Sequence, residues 1–163
     1  MIKYKTKNNI KYALIVCLFL LSGLSINTEA KPATEPEICL AKNMYFEARG
    51  KGKLAMLLVA QVTLNRVDSK MYPDTICGVV YQPYQFSWYN DGLSDKAPIS
   101  NNTLEVKAWS SAKRIAKTLL YKNNVLNDLT KGSLYYHTDK VDPKWNRNMI
   151  VSLVHKTHIF YNK

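Results

Sequence analysis

The residue best placed to do chemistry is Glu47, in the run Met44-Tyr45-Phe46-Glu47-Ala48-Arg49-Gly50. Tyr, Phe and Met around a carboxyl strip it of water, disfavour its charged form and raise its pKa. A carboxyl that keeps its proton near neutral pH suits a general acid, and breaking an ether-type bond in a polysaccharide needs one. The competing reading is an ion pair with Arg49 or Arg66 near a helix end. Against that, the helix macrodipole opposes an acidic residue at the close of a helix.

A second group suits sugar binding. Tyr81, Gln85, Phe86, Ser87 and Trp88 lie in a stretch dense in aromatics and amides. Ring faces stack on pyranoses, while amides and hydroxyls hydrogen-bond to sugar hydroxyls. Equally, Phe86 and Trp88 suit a core and Gln85 a surface. Tyr136, His137 and His158 fall in aromatic segments, where a satisfied structural histidine is commoner than a reactive one.

Cys39 and Cys77 suggest a disulfide if the domain is exported, worth roughly 3–4 kcal/mol in the chain-entropy model. Two separately buried thiols are the alternative. Neither cysteine has a local context that would activate it as a nucleophile toward His137. His137, His155 and His158 lack a compact zinc spacing, so no metal and no cofactor is expected.

These groups must be held by helices. Thr34, Pro36 and Glu37 form a capping box opening a helix whose stripe is Ile38, Ala41, Met44, Tyr45 and Ala48. Glu47 falls at the margin of that stripe, beside Leu40 and Asn43, and Gly50 and Gly52 end the helix. Residues 53–67 are apolar on nearly every side and predict a buried second helix. Its polar exceptions, Gln61 and Asn65, share a face and need partners, for which the carboxyl of Glu47 is suitable.

A loop at Tyr72-Pro73-Asp74 leads to a short helix over 75–81. A long amphipathic helix, capped by Asn102 and Glu105, runs to about Tyr121. Its apolar stripe is Leu104, Ala108, Trp109, Ala112, Ile115, Ala116, Leu119 and Leu120, with Lys107, Lys113, Arg114 and Lys117 opposite. Residues 134–137, 149–154 and 158–161 predict strands, with Asp142-Pro143 as a turn between them.

The first thirty residues carry Lys3, Lys5, Lys7 and Lys11, then an apolar stretch over 13–24, then Thr28-Glu29-Ala30. That is the layout of a secretory signal, with an uncleaved membrane anchor as the alternative. Cys17 lies in the apolar stretch and would leave with the signal. Residues 31–37 make a short linker, and 38–163 suit one compact domain, expected to act as a monomer. Removing those four lysines and Glu29 from 23 basic and 12 acidic residues leaves 19 against 11, a net +8. With an export signal, that charge points to an anionic envelope and not to nucleic acid; solubility alone would also account for it.

The ordered motifs bear a resemblance. Leu40-Ala41 through Tyr45-Phe46-Glu47-Ala48-Arg49-Gly50 resembles the signature of the SleB-like cell wall hydrolases. Val59-Ala60-Gln61-Val62 with Leu64-Asn65-Arg66-Val67 is similar to that family's second helix. Residues 73–82, then Gln85-Phe86-Ser87-Trp88, resemble its next block. Tyr136-His137, Pro143-Lys144-Trp145 and His158-Ile159-Phe160-Tyr161 resemble its C-terminal blocks. The likeness runs from about Cys39 to Tyr161. Lys51 stands where the family usually has an acidic residue, and Lys156 where a small residue is common.

The resemblance implies an α+β fold: a lysozyme-like, mainly helical core with a small antiparallel sheet toward the C-terminus. It implies cleavage of peptidoglycan between N-acetylmuramic acid and N-acetylglucosamine, typically as a lytic transglycosylase, with Glu47 as the lone catalytic residue. Hydrolysis of either stereochemistry wants a second carboxylate, and Asp74, Asp91 and Asp142 are only remote candidates. Gln61, Asn65 and Tyr136 would hold Glu47 or the N-acetyl group, and Tyr81, Gln85, Phe86, Ser87, Trp88 and His137 would complete the binding surface. The alternatives are a non-enzymatic peptidoglycan-binding module and a cysteine-dependent wall peptidase.

Overall fold

The computed structural model describes residues 32–92, 96, 102–121 and 127–163. The expected signal segment and Cys17 lie outside the described residues. The domain spans Ala33–Lys163. Among the described residues no helix is long and apolar enough to cross a membrane.

Helix α1 (Glu35–Ala48) opens as its sequence predicts. The Thr34 backbone N–H donates to the Glu37 carboxylate at 3.1 Å, and Pro36 lies in the first turn. Leu40, Ala41, Met44, Tyr45 and Ala48 are all buried. A 3-10 turn (Arg49–Lys51) and Gly52, whose φ of 88° is one that L side chains rarely adopt, reverse the chain into α2 (Lys53–Asp68). The buried faces of α1 and α2 form one core with Ala112 and Ala116 of α4 (Thr103–Tyr121). Small residues on α4 let the helices approach closely. The short α3 (Ile76–Val80) is capped by Thr75, whose hydroxyl accepts from the Gly78 N–H at 3.1 Å. The Cys39–Cys77 disulfide, with its Cα atoms 5.3 Å apart, joins α3 to α1.

The stripe of α4 departs from expectation at one place. Leu104 is 73% exposed, because its turn of helix lies beyond the reach of the α1–α2 core and instead borders a cavity. The Asn102 cap is present, its side-chain oxygen accepting from the Leu104 N–H at 2.9 Å.

Three antiparallel strands, β1 (Tyr135–Thr138), β2 (Ile150–His155) and β3 (His158–Asn162), pair in the order β1-β3-β2. The registers Tyr136↔Phe160 and Thr138↔His158 put Tyr136, Phe160 and His158 on one face. That inner face packs on α2 through Leu58, Val62 and Phe160. The other face carries Tyr135, His137 and Tyr161, against which Trp145 of a further 3-10 turn (Lys144–Asn148) packs. At the β2–β3 tip, Lys156 has φ 52° and its ammonium donates to the Lys51 carbonyl. The two lysines that depart from the family pattern therefore meet, fastening the hairpin to the turn that follows α1.

Candidate active site

Glu47 lies one residue before the end of α1, half-buried where α1, α2 and β1 come together. The Tyr136 hydroxyl, delivered by the inner face of β1, donates to Glu47 Oε2 at 3.1 Å. Burial raises the Glu47 pKa from its ordinary value; the Tyr136 hydrogen bond and the positive charge of Arg66 pull it part of the way back. Tyr136 is pushed well above the usual phenol range, chiefly by burial and next by the Glu47 charge, so it is a neutral donor. The site thus holds a carboxyl biased toward its protonated form and oriented by a single hydroxyl.

Arg66 is the feature that sequence reasoning undervalued. It is 4% exposed, its Nε donates to the Leu134 carbonyl at 2.8 Å, and its Nη1 has no hydrogen-bond partner among the described residues. Its guanidinium lies 5.2 Å from the Tyr72 ring centre and 5.4 Å from that of Phe86. Burial lowers its pKa, while the neighbouring Tyr136, Tyr72 and Glu47 favour its charge. The available signal was a lone arginine near the end of a mostly buried helix. Asn43 was also missed as a support. Fully buried, it donates to the Thr63 hydroxyl at 3.0 Å and accepts from Trp88 Nε1 at 3.1 Å.

The expected partnership of Gln61 and Asn65 with Glu47 is not present. Gln61 donates to the Asn127 carbonyl at 2.8 Å and accepts from the Leu129 N–H at 3.1 Å. Asn65 donates to Asp128, Thr130 and the Ser133 carbonyl at 3.0–3.2 Å. Both amides bind the loop over 127–133, because their shared face of α2 looks at that loop and not at the end of α1. Asp128, which caps the loop through Thr130 and Gly132, is held below the ordinary aspartate range by the hydrogen bonds it accepts, which outweigh its desolvation.

Phe86 and Trp88 are corrected as open groove walls: they are 3% and 6% exposed. Trp88 stacks on Phe46 at 4.7 Å, and this cluster, which Tyr136 also touches, is the apolar flank of the site. The residues left facing solvent between Tyr81 and Asn90 are Pro83, Tyr84, Ser87, Tyr89 and Asn90. Tyr84 is 94% exposed at φ 61°, a conformation rare for a non-glycine residue. Tyr81 and Gln85 are half-buried, and the Tyr81 ring lies 5.0 Å from that of Tyr89.

His137 does not face Glu47. Alternation along β1 puts it on the outer face, where Nδ1 donates to the Thr138 carbonyl at 2.9 Å. Its Nε2 accepts from the Tyr161 hydroxyl at 2.7 Å and from Asn146 at 3.1 Å. It is a satisfied structural histidine. His158 on the inner face is the opposite case: 1% exposed, with neither ring nitrogen partnered among the described residues, and 5.6 Å ring to ring from Tyr136. Burial, with Lys51 and His155 nearby, lowers its pKa and keeps it neutral.

Of the two arginines expected as competing ion-pair partners of Glu47, Arg66 acts on it through its charge, and Arg49 is engaged elsewhere. Arg49 pairs with Glu105 at 3.6 Å, and its guanidinium lies 5.0 Å from the Tyr45 ring centre. Asp74 and Asp142 are exposed, the latter 4.0 Å from Arg147.

Comparison with known proteins gives the following. A family model described as Cell Wall Hydrolase matches residues 50–161, beginning three residues past Glu47. The crystal structure of the catalytic domain of the Bacillus cereus SleB protein superposes with TM-score 0.56 at 28% identity, covering 81% of this chain and 94% of that one. The catalytic domain of the germination-specific lytic transglycosylase SleB from Bacillus anthracis gives TM-score 0.57 at 29% identity, covering 81% and 98%. A spore cortex-lytic enzyme of Bacillus cereus is 30% identical over 106 residues, 65% of this chain and 36% of that protein. One from Oceanobacillus iheyensis is 42% identical over 53 residues, 32% of this chain and 19% of that protein. The chain thus spans about a third or less of the length of these curated relatives.

Proposed function

The chain belongs to the cell wall hydrolase family, and from that premise we propose that it cleaves peptidoglycan strands between N-acetylmuramic acid and N-acetylglucosamine, with Glu47 as the proton donor of a lytic transglycosylase. The observation that carries this reading is the half-buried Glu47 carboxyl, raised in pKa and held by the Tyr136 hydroxyl at 3.1 Å. The mainly helical core with its small C-terminal sheet is shared with SleB catalytic domains, one of them from a lytic transglycosylase.

The reaction follows from what surrounds the acid. Glu47 gives its proton to the glycosidic oxygen as the bond to C1 of the muramic sugar breaks. Positive charge develops at C1, and the carboxylate just formed stabilises it. Glu47 then takes the proton of that sugar's own C6 hydroxyl, whose oxygen closes on C1 as a 1,6-anhydro ring. One carboxyl serves both steps, and no water enters. The groups that act electrostatically on Glu47 are Tyr136 and Arg66, neither of them a carboxylate, which favours this route over one needing two acids. Tyr136 donates to the carboxylate form and keeps the group aimed during both transfers. Export, the segment boundaries at 30 and 37, and binding by Tyr81, Gln85 and Ser87 belong to the same proposal.

The test is Glu47→Gln on purified sacculi. The variant is expected to fold and to lose about a thousandfold or more of the lytic rate, the range for removing a general acid or base. Mass spectrometry of the wild-type products is expected to give anhydro-muropeptides. Reducing ends would favour hydrolysis, and binding without release of soluble fragments would favour a non-enzymatic binding module.

A further inference from the structure

We propose that a cavity beside the turn after Glu47 is a subsite for the carboxylate-bearing stem peptide of peptidoglycan. This deepens the reading of Glu47 as the acid and rests on it. The cavity is an open hollow of about 430 Å³ between the Arg49–Lys51 turn, the start of α2 and the first turns of α4. Met56, Ala108 and the exposed Leu104 supply apolar wall, while Arg49, Lys53 and Lys107 supply positive charge. Glu105, also on the wall, is the partner of Arg49 at 3.6 Å. Among the described residues Lys53 and Lys107 form no ion pair, so they add positive charge to an open, concave, partly apolar surface.

The lining discriminates between parts of the substrate. A bare sugar wants aromatic faces and amides, and among the described residues neither aromatic nor amide side chains line this cavity. A short peptide of alkyl side chains ending in carboxylates wants apolar wall and cations, which are here. Substrate chemistry places the two sites together. The muramic ring carries both the scissile bond at C1 and, through its lactyl group, the stem peptide. The turn that borders the cavity leaves α1 two residues after Glu47, and the Lys156–Lys51 hydrogen bond fastens that turn to the β2–β3 hairpin. The subsite therefore selects peptide-substituted muramic acid over stripped glycan.

The experiment compares muropeptide release from intact sacculi and from sacculi stripped of stem peptides by an amidase. The full chain is expected to favour the peptide-bearing substrate at least about threefold, a modest yield for one charge-assisted contact. In the Lys53→Gln/Lys107→Gln variant that ratio falls toward one. Equal rates on both substrates, or a ratio unchanged in the variant, would overturn the assignment. A second arm needs no catalysis: titration with the free tetrapeptide L-Ala-D-Glu-diaminopimelate-D-Ala, followed by backbone amide shifts. Shifts clustered at residues 53, 104–108 and 111 support the subsite, and their absence rejects it. A glycerol-phosphate oligomer that shifts the same amides more strongly would reassign the cavity to an anionic polymer. Failure to release fragments from either kind of sacculus would sink the catalytic reading, while the peptide titration still decides the subsite.

Discussion

The two faces of the three-stranded sheet are built from the same kinds of residue and reach opposite states. On the outer face, Tyr135, His137, Trp145 and Tyr161 pack edge to face, tilted or stacked at 5.2–5.7 Å, and both ring nitrogens of His137 are used. On the inner face, Tyr136, His158 and Phe160 pack at 5.6–6.1 Å, but both nitrogens of His158 are unpartnered and the Tyr136 hydroxyl is given to Glu47. Arg66 Nη1, close to Tyr136, is unpartnered as well. Leaving a buried polar group unmet costs about 1–3 kcal/mol. Among the described residues, however, Gln82, His155, Thr157 and Asn162 carry such atoms too, so what sets the inner face apart is that its tyrosine hydroxyl is given to an acid. Aromatic and histidine content does not separate scaffold from site here. The destination of the polar groups does: Tyr161 and Asn146 meet His137 on the outer face, and the Glu47 carboxyl meets Tyr136 on the inner one.

The strongest way to break the inner face is Arg66→Ala. It removes the link from α2 to the Leu134 carbonyl just before β1, opens a void between Tyr72 and Phe86, and leaves a part-buried carbonyl without its donor. Urea unfolding is expected to show a loss of about 3 kcal/mol or more. A loss under about 1 kcal/mol would mean that the guanidinium is not the joint between helix and sheet.

Tyr136→Phe probes the same face more gently. The ring and its packing stay, and the lytic rate is expected to fall about ten- to a hundredfold, or ~1.4–2.7 kcal/mol of barrier. The sign of the pH effect is fixed by the geometry. A phenol donating to a carboxylate favours the ionised form, so removing it raises the Glu47 pKa further. The acid then stays protonated to higher pH, and the alkaline limb of the pH–rate profile moves up. A limb that stays in place or moves down would remove Tyr136 from direct contact with the acid.

The difference between the faces was only partly legible in the chain. Helices α1, α2 and α4, the Asn102 and Thr34–Glu37 caps, the Cys39–Cys77 pairing and all three strands follow from periodicity, capping chemistry and cysteine count, all local signals. Glu47 was legible because its apolar neighbours are adjacent in sequence. What was not legible depends on which way an element turns. Gln61 and Asn65 are polar exceptions on a buried helix, as read, but the partner is the loop over 127–133, some 66 residues further on, and not the preceding helix. Phe86 and Trp88 turned inward because Asn43 and Phe46 supply an indole acceptor and a stacking face. His137 and Tyr136, adjacent in sequence, were assigned together, though strand alternation sends them to opposite faces.

On the outer face, His137→Phe is expected to cost about 1–2 kcal/mol, since the buried Tyr161 hydroxyl loses its acceptor while ring packing is kept. The pH–rate profile should not shift, and that distinguishes it from Tyr136→Phe. A shifted alkaline limb in the His137 variant would show that the faces communicate and that the contrast between them is overdrawn.

The smallest effect expected is the most diagnostic of what Glu47 is held for. Its folded pKa is raised, so between the unfolded and folded values the native state binds more protons than the unfolded state. Stability linked to Glu47 is therefore fully present below the ordinary glutamate range and is lost as pH rises through the folded value. Glu47→Gln carries no such penalty. Calorimetry should find the variant with the higher Tm at neutral pH, the gap closing as pH falls toward 4, in the ordinary glutamate range. His158, with its lowered pKa, gives stability a slope of the opposite sign: it is lost as pH falls from the ordinary histidine range. Because His158 is present in both proteins, that slope cancels in the difference. If the variant were instead the less stable protein at neutral pH, the carboxylate would be anchored as an ion by Arg66. Glu47 would then be a structural charge and not a proton donor.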